Sequence, residues 1–453
     1  MQLIRMPISE DEQDNKTRRL LLEGYNLALS AGTGIATYSR TLGSAARALG
    51  YQTDLLVSTN RAIDESDAVM AEITVFDGPR NLNLIHKGQM ELRRLFGAPL
   101  GIKAGVLKSV DGVVARPNAS FDGFRRIYGV PFLLDVERLH FMRHGKRLRL
   151  RVDQPPDIFH VTRAAPLHIP GAANIYTIHD IIPLRLPSAT ADDKKYYLGM
   201  LREIVRTADH IVTVSEFSRQ DIIQLTGISP DRITNTYQPV ILPKDATEQP
   251  DAAISDMLAA KYGLDFKDYF LFVGAIEPKK NIARLVDAYA ASGVQRPLII
   301  AGGLGWMYEK DLEKIADERF LSYSVAGKHI VPQRRVRRLS YVPYSDLVSV
   351  MRGARALLFP SLYEGFGLPV LEAMTVGTPT MSSNVTSLPE IVGDAGCLVD
   401  PFDVDAMAQA IRRLDADTDY REDLTARGLK RASDFSLEKY GRRLRSVYNK
   451  VAW

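Results

Sequence analysis

Short apolar runs, set between glycine-bearing turns and stretches of helical spacing, recur along most of this chain. In the first half, residues 20–22, 55–57, 158–161, 175–178 and 211–214 read as buried strands. Between them, Ile35, Tyr38, Leu42, Ala45, Ala46 and Leu49 share one helix face, closed by Gly50, and Tyr197, Met200, Leu201, Ile204, Val205 and Ala208 share another. Ser215 reads as the cap of a further helix beginning near Phe217. A second series starts after the proline- and charge-rich stretch at 239–253. Strands are expected at 269–273, 298–301, 339–342, 356–359 and 397–399, and Asn281 is expected to cap a helix carrying Ile282, Leu285, Val286 and Tyr289. Strands alternating with helices in this way predict an α/β chain with two Rossmann-like doubly wound domains. The expected division is a flexible tail over 1–17, a first domain over 18–240, a linker over 241–256 and a second domain over 257–435. A closing helix over 436–453, capped by Ser436, carries Tyr440, Leu444, Val447, Tyr448 and Val451 along one side.

Composition narrows the function classes. At 453 residues, 45% hydrophobic and 25% charged, the chain has the make-up of an ordinary globular protein with room for two cores. A net charge of +4 is too small to argue for nucleic acid. Cys397 is the only cysteine, which excludes an intrachain disulfide and a thiolate metal cluster and fits a cytoplasmic setting. No apolar run approaches the roughly 18 residues of a spanning helix, and the N-terminus lacks the apolar core of a signal peptide. Arg147, Arg149 and Arg151 alternate with Leu148 and Leu150, so three guanidinium groups share a strand face. A solvated strand edge is favoured there over a site for anionic lipid or a phosphorylated acceptor, and Arg334, Arg335, Arg337 and Arg338 read the same way.

The chemistry concentrates in SLYEGFGLPVLEA, residues 361–373. A buried strand ends at Pro360, Gly365 and Gly367 permit a turn with unusual backbone angles, and Pro369 begins a helix that Gly377 stops. A strand feeding a tight loop and a helix start offers free N–H groups to an anion. Glu364 and Glu372, eight positions apart, cannot hold that anion but can accept hydrogen bonds from hydroxyls on either side of it. A diphosphate between two sugars uses all three features. The loop VGAIEPKKN adds Lys279 and Lys280 at a helix start, where two cations oppose the helix dipole unless a phosphate compensates. The segment Gly32-Thr33-Gly34 opens the first helix, but Thr37 stands where the dinucleotide fingerprint needs its third glycine. His179 ends the run IYTIHDIIPL at a strand terminus, where open α/β sheets place ligands; His160, in DIFH, has less behind it.

With these residues in view, SLYEGFGLPVLEAMTVGTP resembles the glutamate–seven–glutamate motif of the family-4 retaining glycosyltransferases of the GT-B fold, and especially the branch with bacterial mannosyltransferases. The resemblance implies two domains facing across a cleft, with the closing helix returning to the first. It implies that Glu364 contacts the transferred sugar, that Glu372 contacts the nucleotide ribose, and that Gly365, Phe366, Gly367 and Leu368 line the donor. Gly32 and Gly34 face the diphosphate from the other domain, His179 points into the cleft, and Lys280 meets the donor phosphates. The family's arginine position holds Ala275 here, and Lys279 is the candidate replacement.

The implied reaction moves a hexose, mannose favoured, from a nucleoside-diphosphate sugar to a glycan or lipid-linked acceptor, with retention and without a metal. No other cofactor is expected. The donor favoured is GDP-mannose-like, the setting is surface polysaccharide synthesis, and a peripheral contact with an anionic membrane at its inner face stays open. The rivals are a nucleotide-sugar epimerase, a sugar phosphorylase, a nicotinamide-dependent oxidoreductase and a non-catalytic nucleotide-sugar-binding protein.

Overall fold

The computed structural model describes residues 18–28, 34–76, 101–107, 121–190, 192–326 and 329–451. It contains two large sheets. The first has eight strands in the order Ile233–Asn235, His210–Thr213, Ala173–Thr177, Ile158–Val161, Arg19–Glu23, Gln52–Thr59, Ile127–Pro131 and Gly105–Leu107. Neighbours are parallel except for the last pair. The second has six parallel strands, Val336–Leu339, Leu298–Ala301, Phe270–Val273, Ala356–Phe359, Thr380–Ser383 and Cys397–Val399. In each sheet the order reverses beside the first strand, and a crevice opens there at the carboxyl ends of the strands. Strands such as Phe270–Val273 and Ala356–Phe359 are buried along their length, as expected of parallel strands covered by helices on both faces.

Several elements depart from the sequence expectation. The edge strand of the second sheet is Val336–Leu339 rather than 339–342. Its arginines hid it: Arg337 donates to the Tyr262 carbonyl at 2.5 Å and Arg338 to the Gly302 carbonyl at 3.4 Å, so these cations bind backbone rather than stand in solvent. Thr380–Ser383 is a fully buried strand whose Thr-Met-Ser-Ser sequence lacks an apolar run. An antiparallel hairpin, Leu321–Ala326 with His329–Arg334, precedes the edge strand and was not expected. Within the stretch read as linker, Lys244–Thr247 is helical, and Asp251–Tyr262 forms a helix that starts directly after Pro250 and buries Ile254 and Leu258. The strand Leu148–Arg151 is not an edge, since it lies between Ile102–Lys103 and Leu167–His168. Arg149 and Arg151 are exposed, whereas Arg147 donates to the Tyr176 hydroxyl at 2.7 Å.

The closing helix Leu437–Val451 buries Tyr440, Leu444, Val447 and Tyr448, and it packs on the first domain's helix Gly34–Ala48. There Tyr448 shares a 2.9 Å hydrogen bond with His160 Nδ1, and His160 Nε2 meets Thr177 Oγ1 at 2.8 Å. Burial holds the His160 imidazole down to about 3, so it is a neutral structural group between helix and sheet. Among the described residues no helix is long and apolar enough to cross a membrane.

Candidate active site

Both loops of the second sheet's crevice carry charge. After the strand Phe270–Val273 the chain runs through Glu277 and a single 3-10 turn, Pro278–Lys280, into the helix Ile282–Ser292. After the strand Ala356–Phe359 it passes through Ser361 and Glu364 into the helix Leu368–Thr375. Two hydrogen bonds tie these loops together: Leu362 N–H donates to the Lys279 carbonyl at 2.8 Å, and Asn281 Nδ2 to the Pro360 carbonyl at 3.1 Å. Asn281 therefore does not cap its helix with its side chain. It sits in the left-handed region at φ 61° and uses its amide to join the loops, with a second bond to the Pro401 carbonyl at 2.7 Å.

The result is a buried ion pair. Lys280 Nζ lies 2.6 Å from Glu364 Oε1, and the same oxygen accepts Ser361 Oγ at 2.7 Å. Lys280 is 9% exposed and Glu364 8%. Burial pushes the Glu364 carboxyl up, but the charges of Lys280 and Lys279 and the bonds from Lys280 and Ser361 outweigh it, so the group is held below its ordinary value and is ionised. An ammonium has three protons, so Lys280 keeps donors to offer a ligand after serving Glu364. Lys279 lies 3.3 Å from Glu277 Oε1. Burial alone pulls the Lys279 ammonium down, yet Glu364, Glu277 and Asp180 together hold it raised and charged. Ala275, at the position where the resemblance wanted an arginine, is exposed on the same loop.

Gly367 starts the helix Leu368–Thr375 with φ 111°, a left-handed conformation that an L side chain resists, and Pro369 takes the second helical position rather than the first. Gly365 is glycine for another reason. A Cβ there would stand 2.8 Å from the His179 carbonyl oxygen and 2.9 Å from the Asp180 side chain, both of the first domain. The Gly365 carbonyl also accepts Ser218 Oγ at 3.1 Å. The domains meet again where Glu390 accepts the Glu216 and Phe217 N–H groups at 2.7 and 3.0 Å, where Tyr363 hydrogen-bonds Asp221, and where Trp306 donates to the Ala189 carbonyl at 2.5 Å.

The structure thus brings Lys279, Lys280, Glu364, Gly365 and His179 into one place. His179 Nε2 meets the Thr162 carbonyl at 3.0 Å, and its ring stands edge-on to Tyr38 at 4.8 Å. Burial holds its imidazole below the ordinary value. Gly34 opens the helix Gly34–Ala48 and faces Leu368, which a Cβ would approach to 3.3 Å, while Gly32 lies outside the described residues. The Phe366 ring is turned into the core against Phe435, so only its backbone borders the loop. Glu372 stands apart from the ion pair, 9% exposed, with Tyr344 OH donating to Oε1 at 3.1 Å. Sequence reasoning missed Ser361, Asn281, Tyr344 and Asp180 as partners. Ser361 lay inside the motif, and Asp180 beside His179, where each could have been found.

Burial raises the Glu372 carboxyl to about 7. An acid with a folded pKa above its unfolded value binds more protons when folded, so its contribution to stability falls as pH climbs through that range and levels off above about 7. Glu372→Gln removes this dependence. The variant is expected to gain about 2 kcal/mol on wild type between about pH 5 and about pH 8. Melting curves of the pair at matched pH check it, and a difference that stays flat would refute the assigned shift.

The crevice, the ion pair and the two facing sheets define a glycosyltransferase of the GT-B fold. A family profile described as "Glycosyl transferases group 1" matches residues 258–431, and one described as "Glycosyltransferase Family 4" matches residues 32–242. The chain is 38% identical over 314 residues to O-antigen chain mannosyltransferase B of Escherichia coli, covering 68% of this chain and 77% of that protein. It belongs to the family-4 glycosyltransferases. It is 31% identical over 265 residues to the serotype-specific mannosyltransferase WbdA of Escherichia coli, but spans only 31% of that longer protein and 57% of its own length in the match. Among solved structures it resembles Anabaena HepE in complex with UDP and glucose, with TM-score 0.63 and 13% identity over 96% of this chain and 100% of that one. It also resembles WaaG, a glycosyltransferase involved in lipopolysaccharide biosynthesis, with TM-score 0.58 and 13% identity over 94% and 99%.

Proposed function

We propose that this glycosyltransferase moves a mannosyl group from a GDP-mannose-like donor to a glycan or lipid-linked acceptor in surface polysaccharide synthesis, with retention of configuration and without a metal ion. The observation that carries the reading is the buried Lys280–Glu364 pair at the reversal point of the second sheet. An ionised carboxylate there, already neutralised, is suited to bind sugar hydroxyls, and the two lysines are suited to meet charge that develops on a departing diphosphate. Glu364 orients the sugar, Lys280 and Lys279 stabilise the leaving group with the N–H groups at the helix start, His179 meets the sugar from the other side, and Glu372 binds the ribose. Gly32, Gly34, Gly365, Phe366, Gly367 and Leu368 border the donor. The mannosyl assignment is supported by the relatives named mannosyltransferase. The working place is the cytoplasm, at the inner face of the membrane where a lipid-linked acceptor presents its sugar.

The test combines EDTA-treated protein, GDP-mannose and an octyl α-mannoside acceptor, with the product's anomeric configuration read by NMR. An α-linked product without added metal is expected, and GDP at about a hundred times its Kd is expected to raise the melting temperature by about 5 °C, more than UDP or ADP at the same concentration. A β-linked product, a strict metal requirement, or a larger shift with UDP would each overturn its own part of the proposal.

A further inference from the structure

Asp180 helps to hold the Lys279 charge, but it has no contact with a substrate in the reaction given above. It follows His179 beyond the strand Ala173–Thr177, and it is fixed on two sides. Its Oδ1 accepts the Ile182 N–H at 3.1 Å, and the Tyr197 hydroxyl donates to its carbonyl at 3.0 Å. Its Oδ2 has no hydrogen-bond partner among the described residues and lies 2.9 Å from the point where a Cβ on residue 365 would stand. That oxygen therefore opens onto the loop that carries Glu364. Burial pushes the Asp180 carboxyl up, against the charge of Lys279 and the bond from the Ile182 N–H.

Three carboxylates, Asp180, Glu277 and Glu364, gather around two ammonium groups. Glu364 is engaged by Lys280 and Ser361, and Glu277 by Lys279; all of these belong to the second domain. Asp180 comes from the first domain and keeps an oxygen unengaged. A rigidly held acceptor atom beside the sugar-binding loop, supplied from the opposite wall, suits a hydroxyl that enters from that wall.

We infer that Asp180 binds the acceptor: its Oδ2 accepts a hydrogen bond from a hydroxyl of the incoming sugar, next to the one that attacks, and so selects which oxygen faces the anomeric carbon. The inference rests on the transfer reaction proposed above. In that reaction the attacking oxygen forms its bond to the anomeric carbon. The bond from that carbon to the diphosphate oxygen breaks with its electron pair going to the diphosphate. The hydroxyl proton passes to the departing diphosphate, and Asp180 takes no part in the proton transfer.

The experiment compares wild type, Asp180→Asn and Asp180→Ala with GDP-mannose and octyl α-mannoside, measuring KM for each substrate and the GDP-induced melting shift. Asp180→Ala is expected to raise the acceptor KM about tenfold and lower kcat/KM for the acceptor about thirtyfold. Asp180→Asn, whose amide oxygen still accepts a hydrogen bond, should fall between it and wild type. The donor KM and the GDP shift should stay at wild-type values in both, which also shows that both variants fold. An unchanged acceptor KM would refute the inference while a turning-over wild type leaves the reaction standing. An equal rise in donor KM with a smaller GDP shift would instead assign Asp180 to the donor through Lys279. A wild type without transfer removes the reaction, and the inference with it.

Discussion

Glu364→Gln and Lys280→Ala are each expected to lower kcat/KM at least about a hundredfold, which corresponds to about 2.7 kcal/mol of lost transition-state stabilisation. The two changes reach that loss differently. Gln at 364 keeps a side chain of the same shape, 8% exposed, and can still accept from Lys280 and Ser361, so the loop and its melting temperature should persist. What it loses is the negative charge that binds sugar hydroxyls strongly and that holds the Lys280 ammonium in place. Lys280→Ala removes the paired cation and leaves the buried Glu364 with only the charge of Lys279 and the bond from Ser361, which costs about 3 kcal/mol of stability as well as the phosphate contact. It should therefore melt lower than Glu364→Gln at equal or greater loss of turnover. Because the residues act as one unit, the double variant should be little worse than the poorer single one. Steady-state kinetics of the three proteins, with melting curves beside them, check this. Wild-type-like turnover in either single variant, or losses that multiply in the double, would show that the pair is not what drives the chemistry.

The residues of this pair were legible in the sequence because their chemistry is conspicuous and local: two carboxylates flanking a glycine loop, and a double lysine at a helix start. Strands with long apolar runs, such as Ile158–Val161 and Ala356–Phe359, were equally plain. What could not be read was anything decided by distant contacts. Thr380–Ser383 is an interior strand in which only Met381 is apolar; pairing with a neighbour on each side buries its backbone, and Ser383 Oγ donates to the Ser361 carbonyl at 2.6 Å. Asn281 looked like a helix cap, and its side chain joins two loops 79 positions apart instead. Arg337 and Arg338 looked like solvated charge and are fastened to carbonyls of neighbouring elements. In each case local pattern suggested the cheapest local use of a residue, and tertiary packing supplied a different one.

Gly365 and Gly367 show the same limit at the site, and they yield a sharp contrast. Both sit in one turn, and the sequence assigns both to unusual backbone angles. Only Gly367 has them, at φ 111°. Gly367→Ala should therefore act on the fold, lowering stability by about 1–3 kcal/mol through the strained angle and through the 2.7 Å approach of its Cβ to Leu388. Gly365→Ala meets the first domain instead, at 2.8 Å from a backbone oxygen and 2.9 Å from the Asp180 Cβ, neither of which is the free end of a flexible chain. The easiest relief is for the domains to part, lengthening the Ser218–Gly365 bond and drawing His179 away from Glu364. Displacement by about 1 Å is enough to cost about a hundredfold in rate when a reaction depends on groups held by two bodies. Gly365→Ala is thus expected to lose about a hundredfold in kcat/KM while keeping its melting temperature, because the buried ion pair and the Tyr344–Glu372 bond lie within the second domain. Turnover at the wild-type level in this variant would mean that the reaction proceeds without the two domains meeting at residue 365.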